Sequence, residues 1–75
     1  MASNAYVMIT VEPAKTQQVV DRLRSIVQVQ VKEVLGIYDF VLEVEAETYE
    51  DLTAVLSHKI RPISGITNTV TCLWF

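Results

Sequence analysis

The stretch VKEVLGIYDFVLEVEAET, residues 31–48, places two strand-like runs on either side of a glycine. Before Gly36, valines alternate with polar residues in VQVQV, residues 27–31, and after it apolar residues recur at every second position from Phe40 to Val44. Such alternation is typical of strands that are buried on one face. The stretch therefore predicts a hairpin, with one strand ending at Gly36 and the next covering residues 39–45.

Each side of this hairpin carries a helix and a further strand. Pro13 ends the strand before it, and Thr48 followed by Asp51 resembles a helix N-cap pair, with Pro62 stopping the second helix. The order βαββαβ with right-handed crossovers predicts an α+β, ferredoxin-like fold, in which two helices cover one face of a four-stranded antiparallel sheet. The predicted strands cover residues 5–12, 27–36, 39–45 and 66–75, and the helices cover residues 15–26 and 48–61.

Length and composition favour a single small domain, residues 1–75, that associates with copies of itself. Of its 75 residues, 51% are apolar, which is more than so small a core easily hides. The formal net charge is −3, and the six basic residues are scattered along the chain. Nucleic-acid binders usually carry a basic stripe. We therefore expect a homo-oligomer that does not bind nucleic acid directly.

The outer face of the predicted sheet is the expected dimer interface. The alternation assigns Val70, Cys72 and Trp74 to the helix side of the last strand, together with the apolar residues of the first and third strands. The opposite face is then half apolar, and packing against a second sheet would bury it. The apolar residues predicted at this interface are Tyr6, Met8, Val41, Leu73 and Phe75.

The sequence offers no recognisable catalytic or metal-binding constellation. His58 is the only histidine, Cys72 is the only cysteine and is predicted to be a buried structural thiol, and the acidic residues between Glu43 and Asp51 are predicted to form a solvated edge. We therefore expect no enzyme activity, cofactor or metal. No secretory signal and no apolar run of about 20 residues is present, so we expect a cytoplasmic protein without membrane contact.

Three stretches resemble the ligand-sensing domain of the Lrp/AsnC transcription regulators, called the RAM domain. The stretch at residues 31–48 is similar to the family's valine-rich strand, Gly-x-Tyr-Asp turn and Leu-x-Val-x-Ala strand, and the others are YVMITVEPAK at residues 6–15 and LSHKIRPISGITNTVTCL at residues 56–73. The resemblance implies a stand-alone form without the helix-turn-helix domain. It also implies dimers that pack through their sheets, assemble to octamers and bind amino acids between dimers. Our hypothesis is that such a domain acts by co-assembling with full-length Lrp/AsnC regulators.

The resemblance further implies a set of ligand-binding residues. Gly36, Ile37, Tyr38 and Asp39 match the family's glycine loop, and the hydroxyls of Thr69 and Thr71 match those of its last strand. A close glycine-bearing turn can present backbone N–H groups to a carboxylate, and an acid can bind an ammonium group. The family usually has a polar residue where this chain has Ile37, which argues against a strongly polar effector.

Two other functions are compatible with the βαββαβ order. An ACT-like domain also binds amino acids, but such domains often pair side by side into a continuous sheet, which would leave the apolar outer face exposed. A small dimeric α/β-barrel enzyme packs its sheets face to face and usually carries a histidine or an acid inside the barrel. Here Glu43 and the tyrosines are the groups available for that role.

Overall fold

The computed structural model describes residues 3–74 and has the predicted ferredoxin-like fold. A 3-10 turn, Pro13–Lys15, leads into the first helix, and a π-helical segment, Val55–Ile60, continues the second. The strands are β1 (Ser3–Val11), β2 (Val29–Glu33), β3 (Phe40–Ala46) and β4 (Ile66–Trp74), and the helices are α1 (Thr16–Arg24) and α2 (Tyr49–Ala54).

The four strands form one antiparallel sheet in the order β2-β3-β1-β4. The first and third strands therefore lie in the centre, while β2 and β4 are the edges. The helices pack on one face, with α1 over β2 and α2 over β3 and β1. This arrangement confirms the prediction of a four-stranded antiparallel sheet with both helices on one side.

The core lies between the two helices and the central strands. Alternating residues of β1 and β3 point into it, and α1 contributes residues at helical spacing. The buried residues are Ala5, Val7, Ile9, Val11, Val19, Val20, Leu23, Val29, Phe40, Leu42, Val44, Leu52, Val55, Leu56, Ile60 and Ile63.

Local signals in the sequence explain both ends of the second helix. Thr48 is the N-cap, since the Asp51 backbone N–H donates a hydrogen bond to its Oγ1 at 3.0 Å, and two acidic residues lie in the first turn. At the other end the Arg61 N–H donates to the carbonyl of Leu56 at 3.0 Å, a bond across five residues. The helix therefore widens into a π-type turn before Pro62 ends it.

The predicted orientation of β4 is wrong. Leu73 lies opposite the buried Ala5, while Cys72 lies opposite the exposed Tyr6. Directly opposed residues of antiparallel strands point to the same face. Consequently Thr69, Thr71 and Leu73 are on the helix side of the sheet. Val70, Cys72 and Trp74 are on the outer face, where Cys72 is exposed and the Trp74 ring stacks on Tyr6 at 5.9 Å.

The error has a physical cause. Period-two alternation shows that the two sets of side chains point to opposite faces, but it does not show which set is buried. The prediction assigns the apolar set of β4 to the core, whereas β4 is an edge strand at the margin of the helix layer. The threonines of β4 can therefore face the helix side without entering the core.

Candidate ligand-binding site

Three hydrogen bonds fix the base of the loop between β2 and β3. The Val34 N–H donates to the Asp39 carbonyl at 3.1 Å, and the Asp39 N–H donates to the Ile9 carbonyl at 2.9 Å. The Asp39 side chain in turn accepts a hydrogen bond from the Val11 N–H, with 2.9 Å between N and Oδ2. Asp39 thus joins the loop to the end of β1, a structural role that the sequence pattern does not indicate.

The tip of the loop projects away from the protein. Leu35 is fully exposed, the Ile37 side chain is 85% exposed, and Tyr38 is half-buried. Gly36 has a φ of +155°, a conformation that residues with side chains rarely adopt, and a Cβ built on it would meet no atom within 4 Å. The space beside the Gly36 backbone is therefore open to a ligand or to another protein molecule.

A cavity of about 360 Å³ lies between the base of this loop and the start of α1. Two carboxylates, Glu33 and Asp39, line it together with the Thr16 hydroxyl, and the rest of the lining is Val34, Leu35 and Phe40. The carboxylates can bind an ammonium group, and the exposed side chains of Val34 and Leu35 can contact a hydrocarbon body. A ligand carboxylate would find donors in the exposed backbone of the loop tip. The alternation alone gives no indication that Thr16, Glu33 and Phe40 belong to this cavity.

The two threonines do not line this cavity. Thr69 pairs with Ile9 from the β4 side, whereas Asp39 bonds to Ile9 from the β3 side. Two strand spacings, about 10 Å, therefore separate Thr69 from the loop within one molecule. Thr71 lies farther along β4, opposite Val7. The predicted site residues therefore form two separate groups within one molecule.

The outer face of the sheet carries a group of apolar residues, beside the ion pair between Lys32 and Glu43. Val41, Met8 and Val70 form one row across β3, β1 and β4. The adjoining rows add Tyr6, Cys72 and Trp74, and we call these six residues the outer patch. Three of the residues predicted at the dimer interface belong to it, namely Tyr6, Met8 and Val41. Leu73 points to the other face, and Phe75 lies outside the described residues.

A model of the Lrp/AsnC ligand binding domain matches residues 4–75. The chain belongs to this family. The resemblance seen in the three sequence stretches is thereby confirmed. The Lrp/AsnC match covers β1 to β4 and includes the loop at Gly36.

Known proteins similar to this Lrp/AsnC domain include a regulator and two solved structures. The domain is 31% identical over 70 residues to an uncharacterized HTH-type transcriptional regulator of Pyrococcus abyssi, and the match spans 92% of the chain but 44% of that regulator. It is 30% identical to TTHA0845 from Thermus thermophilus, with a TM-score of 0.89 and coverage of 97% and 92% of the two chains. The hypothetical protein PHS023 from Pyrococcus horikoshii is 28% identical, with a TM-score of 0.89 and coverage of 100% and 90%.

Neither a membrane-spanning helix nor a metal cluster is found within residues 3–74. No helix in this part of the chain is long and apolar enough to cross a membrane. The same residues contain no group of three or more histidine, cysteine, aspartate or glutamate side chains placed to hold a metal ion.

Proposed function

We propose that this Lrp/AsnC domain is a non-enzymatic sensor, which binds an amino acid at the loop of residues 36–39 and dimerises through the outer patch. Through these two surfaces it modulates full-length regulators of the same family. The observation that supports the proposal most is the combination of an open, glycine-bearing loop tip with a cavity lined by the carboxylates of Glu33 and Asp39 and by the exposed residues Val34 and Leu35.

The chemistry of the loop matches the groups of an amino acid. Glu33 and the free oxygen of Asp39 would bind the ammonium group, while backbone N–H groups near Gly36 would bind the carboxylate. The exposed side chains of Ile37 and Leu35 would contact an apolar side chain. The threonines of β4, which lie about two strands away, would contact the ligand from a neighbouring molecule.

The composition of the outer patch supports dimerisation. Its six residues include two stacked aromatic rings, and the Trp74 side chain is 44% exposed in the single chain. A two-fold packing of two such faces would remove this apolar surface from water. Further association of dimers, up to the octamer, would bring the loops of neighbouring dimers together.

Assembly can be tested with two glutamate substitutions on the same strand. Val70→Glu places a charge in the outer patch and should shift the protein from a dimer, or a multiple of one, to the monomer of 8.5 kDa in light scattering. Leu73→Glu is the matched control, because Leu73 points to the other face and this variant should remain assembled. A wild-type protein that is monomeric at micromolar concentration would disprove the dimer.

Ligand binding can be tested by calorimetric titration of the wild-type protein with each of the amino acids. We expect saturable binding of at least one amino acid with an apolar side chain. An absence of heat with every amino acid, for a protein that is folded and assembled, would contradict the proposed function.

A further inference from the structure

The cavity beside the Gly36 loop presents hydrogen-bond acceptors and no side-chain donor. Its polar side chains come from Thr16, Glu33 and Asp39. The Thr16 hydroxyl donates its hydrogen to the Pro13 carbonyl, with 3.0 Å between the two oxygens, so only its lone pairs remain for a ligand. Ionised carboxylates likewise only accept hydrogen bonds. The polar side chains of the lining therefore match a ligand that donates and not one that accepts.

The two lysines that are neighbours of this lining in the sequence are engaged elsewhere. Lys15 pairs with Glu12, with 3.5 Å between Nζ and Oε2, and Lys32 pairs with Glu43, with 3.8 Å between Nζ and Oε1. Consecutive residues of a strand point to opposite faces, so Lys32 points away from its neighbour Glu33. The ion pairs found within residues 3–74 therefore leave the carboxylates of the cavity without a cationic partner.

Glu33 is the carboxylate of the cavity that carries no structural bond. It lies opposite the buried Phe40 in the pairing of β2 with β3, so its side chain is on the helix side of the sheet, where Thr16 begins α1. Asp39, by contrast, uses one oxygen to accept the Val11 N–H. The negative charge of the cavity can therefore be altered at Glu33 without releasing the loop from β1.

The charges of an amino acid do not balance those of the cavity. An amino acid brings a single ammonium group to two carboxylates, so one negative charge of the cavity is left over. A second carboxylate, on the side chain of the effector, would be repelled by this charge and would find no side-chain donor to replace its water. A cationic side chain would be attracted to it, and an apolar side chain would be affected little.

We propose that Glu33 is a specificity-determining residue, which excludes amino acids with an acidic side chain and favours a cationic side chain over a neutral one of the same length. The inference rests on the proposed function, because it concerns the effector of the Gly36 loop. In either case Leu35 and Ile37, which are exposed, would contact the aliphatic part of the effector's side chain.

Three amino acids with the same six-carbon chain test this preference. They are norleucine, lysine and 2-aminoadipate, whose side chains are neutral, cationic and anionic. In calorimetric titrations of the full protein we expect lysine to bind most tightly and 2-aminoadipate to bind about tenfold more weakly than norleucine, or less. The differences should shrink between about 0.1 M and about 1 M salt, because Glu33 is exposed and its charge is screened.

A pair of matched variants tests the role of Glu33. Glu33→Gln keeps the size of the side chain and removes the charge, so the ratio of the 2-aminoadipate and norleucine dissociation constants should fall severalfold. This ratio is insensitive to a general loss of affinity. Glu47→Gln is the control, because it changes the net charge equally at an exposed position beyond the far end of β3 and should keep the wild-type ratio. Glu33→Lys should reverse the order and favour 2-aminoadipate over norleucine.

The outcomes separate this inference from the proposed function. Equal affinities of the wild type for norleucine and 2-aminoadipate, or equal ratios in Glu33→Gln and Glu47→Gln, would overturn the role of Glu33 and leave the sensor proposal intact. If none of the three binds to the folded, assembled protein, the inference is overturned. The titration with each of the amino acids then decides whether the proposed function fails with it.

Discussion

The two glycines of the chain occupy loops with opposite surroundings. Gly65, with a φ of +105°, packs against α1, and a Cβ on it would lie 2.9 Å from both Lys15 Cβ and Val19 Cγ2. Gly36, with a φ of +155°, would have no atom within 4 Å of its Cβ. The packing of the fold therefore requires a residue without a side chain at position 65. At Gly36 glycine is favoured only by the positive φ of the backbone, because a side chain there would meet no neighbouring atom.

This difference distinguishes a glycine that is needed for packing from a glycine that leaves the surface of a loop accessible. The carbonyl of Gly65 accepts a hydrogen bond from the Glu12 N–H at 2.8 Å, so that loop closes against the end of β1. The loop at Gly36 is also held at its base, through Asp39, but a Cβ at Gly36 would meet no atom of the same molecule within 4 Å. A loop with a fixed base and an open tip is suited to binding something external.

Gly65→Ala should have the largest effect on stability. The added methyl group overlaps Lys15 and Val19 and must also adopt a positive φ, so we expect the free energy of unfolding to fall by about 3 kcal/mol. Urea denaturation at a fixed protein concentration measures this loss. Ser64→Ala in the same loop is the control and should change the stability by less than about 0.5 kcal/mol. An effect of Gly65→Ala no larger than that of Gly36→Ala would remove the contrast between the two loops.

Asp39→Ala should have the next largest effect, because the Val11 N–H loses its acceptor. We expect the free energy of unfolding to fall by about 2 kcal/mol. Asp39→Asn keeps an oxygen that can accept from Val11 and should retain most of the stability, but it removes the negative charge available to an ammonium group. If Asp39→Asn binds an amino acid as tightly as the wild type, Asp39 has a structural role alone.

Gly36→Ala should lower the stability by about 1 kcal/mol, the cost of an unfavourable φ without a steric overlap. The same methyl group would enter the space proposed for the effector, and amino-acid affinity should fall by about tenfold or more. Thermal denaturation and calorimetric titration measure the two effects separately. A folded, assembled variant with unchanged affinity would show that the loop is a turn and nothing else.

Ile37→Ser should have the smallest effect on stability, within about 0.5 kcal/mol, because the side chain is already in water. Its affinity for an apolar amino acid should nevertheless fall by about fivefold if Ile37 contacts the effector's side chain. Thr53→Ser, on the second helix, is the control, because it removes one methyl group far from the loop and should leave the affinity unchanged. Equal affinities for Ile37→Ser and the wild type would exclude Ile37 from the contact.

Much of the fold could be predicted from the sequence, because its signals are local. They are the alternation of apolar residues in β1 and β3 and the residues that interrupt strands or helices, namely Pro13, Gly36 and Pro62. The Thr48 N-cap is likewise visible as a pair of residues three positions apart. The face of β4 could not be predicted, since its burial depends on how far the helices extend over the edge of the sheet. That information is in the tertiary arrangement and not in the strand itself.

The candidate sites divide in the same way. The Gly36 loop is recognisable because its sequence motif is local, whereas the role of Asp39 depends on Val11, which is 28 residues away. The cavity beside this loop is hidden from sequence reasoning for a similar reason, since Thr16 is far in the sequence from Glu33 and only the fold brings the two together.

The most direct test of the sensor proposal is a titration of the 15N-labelled protein with amino acids, followed by NMR at the backbone amides of Gly36, Ile37 and Asp39. If the effector binds at this loop, these three amides should shift saturably with one common dissociation constant. The amide of Gly65, which lies in the closed loop, should shift much less. The proposal would be contradicted if an amino acid bound to the protein while the amides of residues 36–39 remained unchanged.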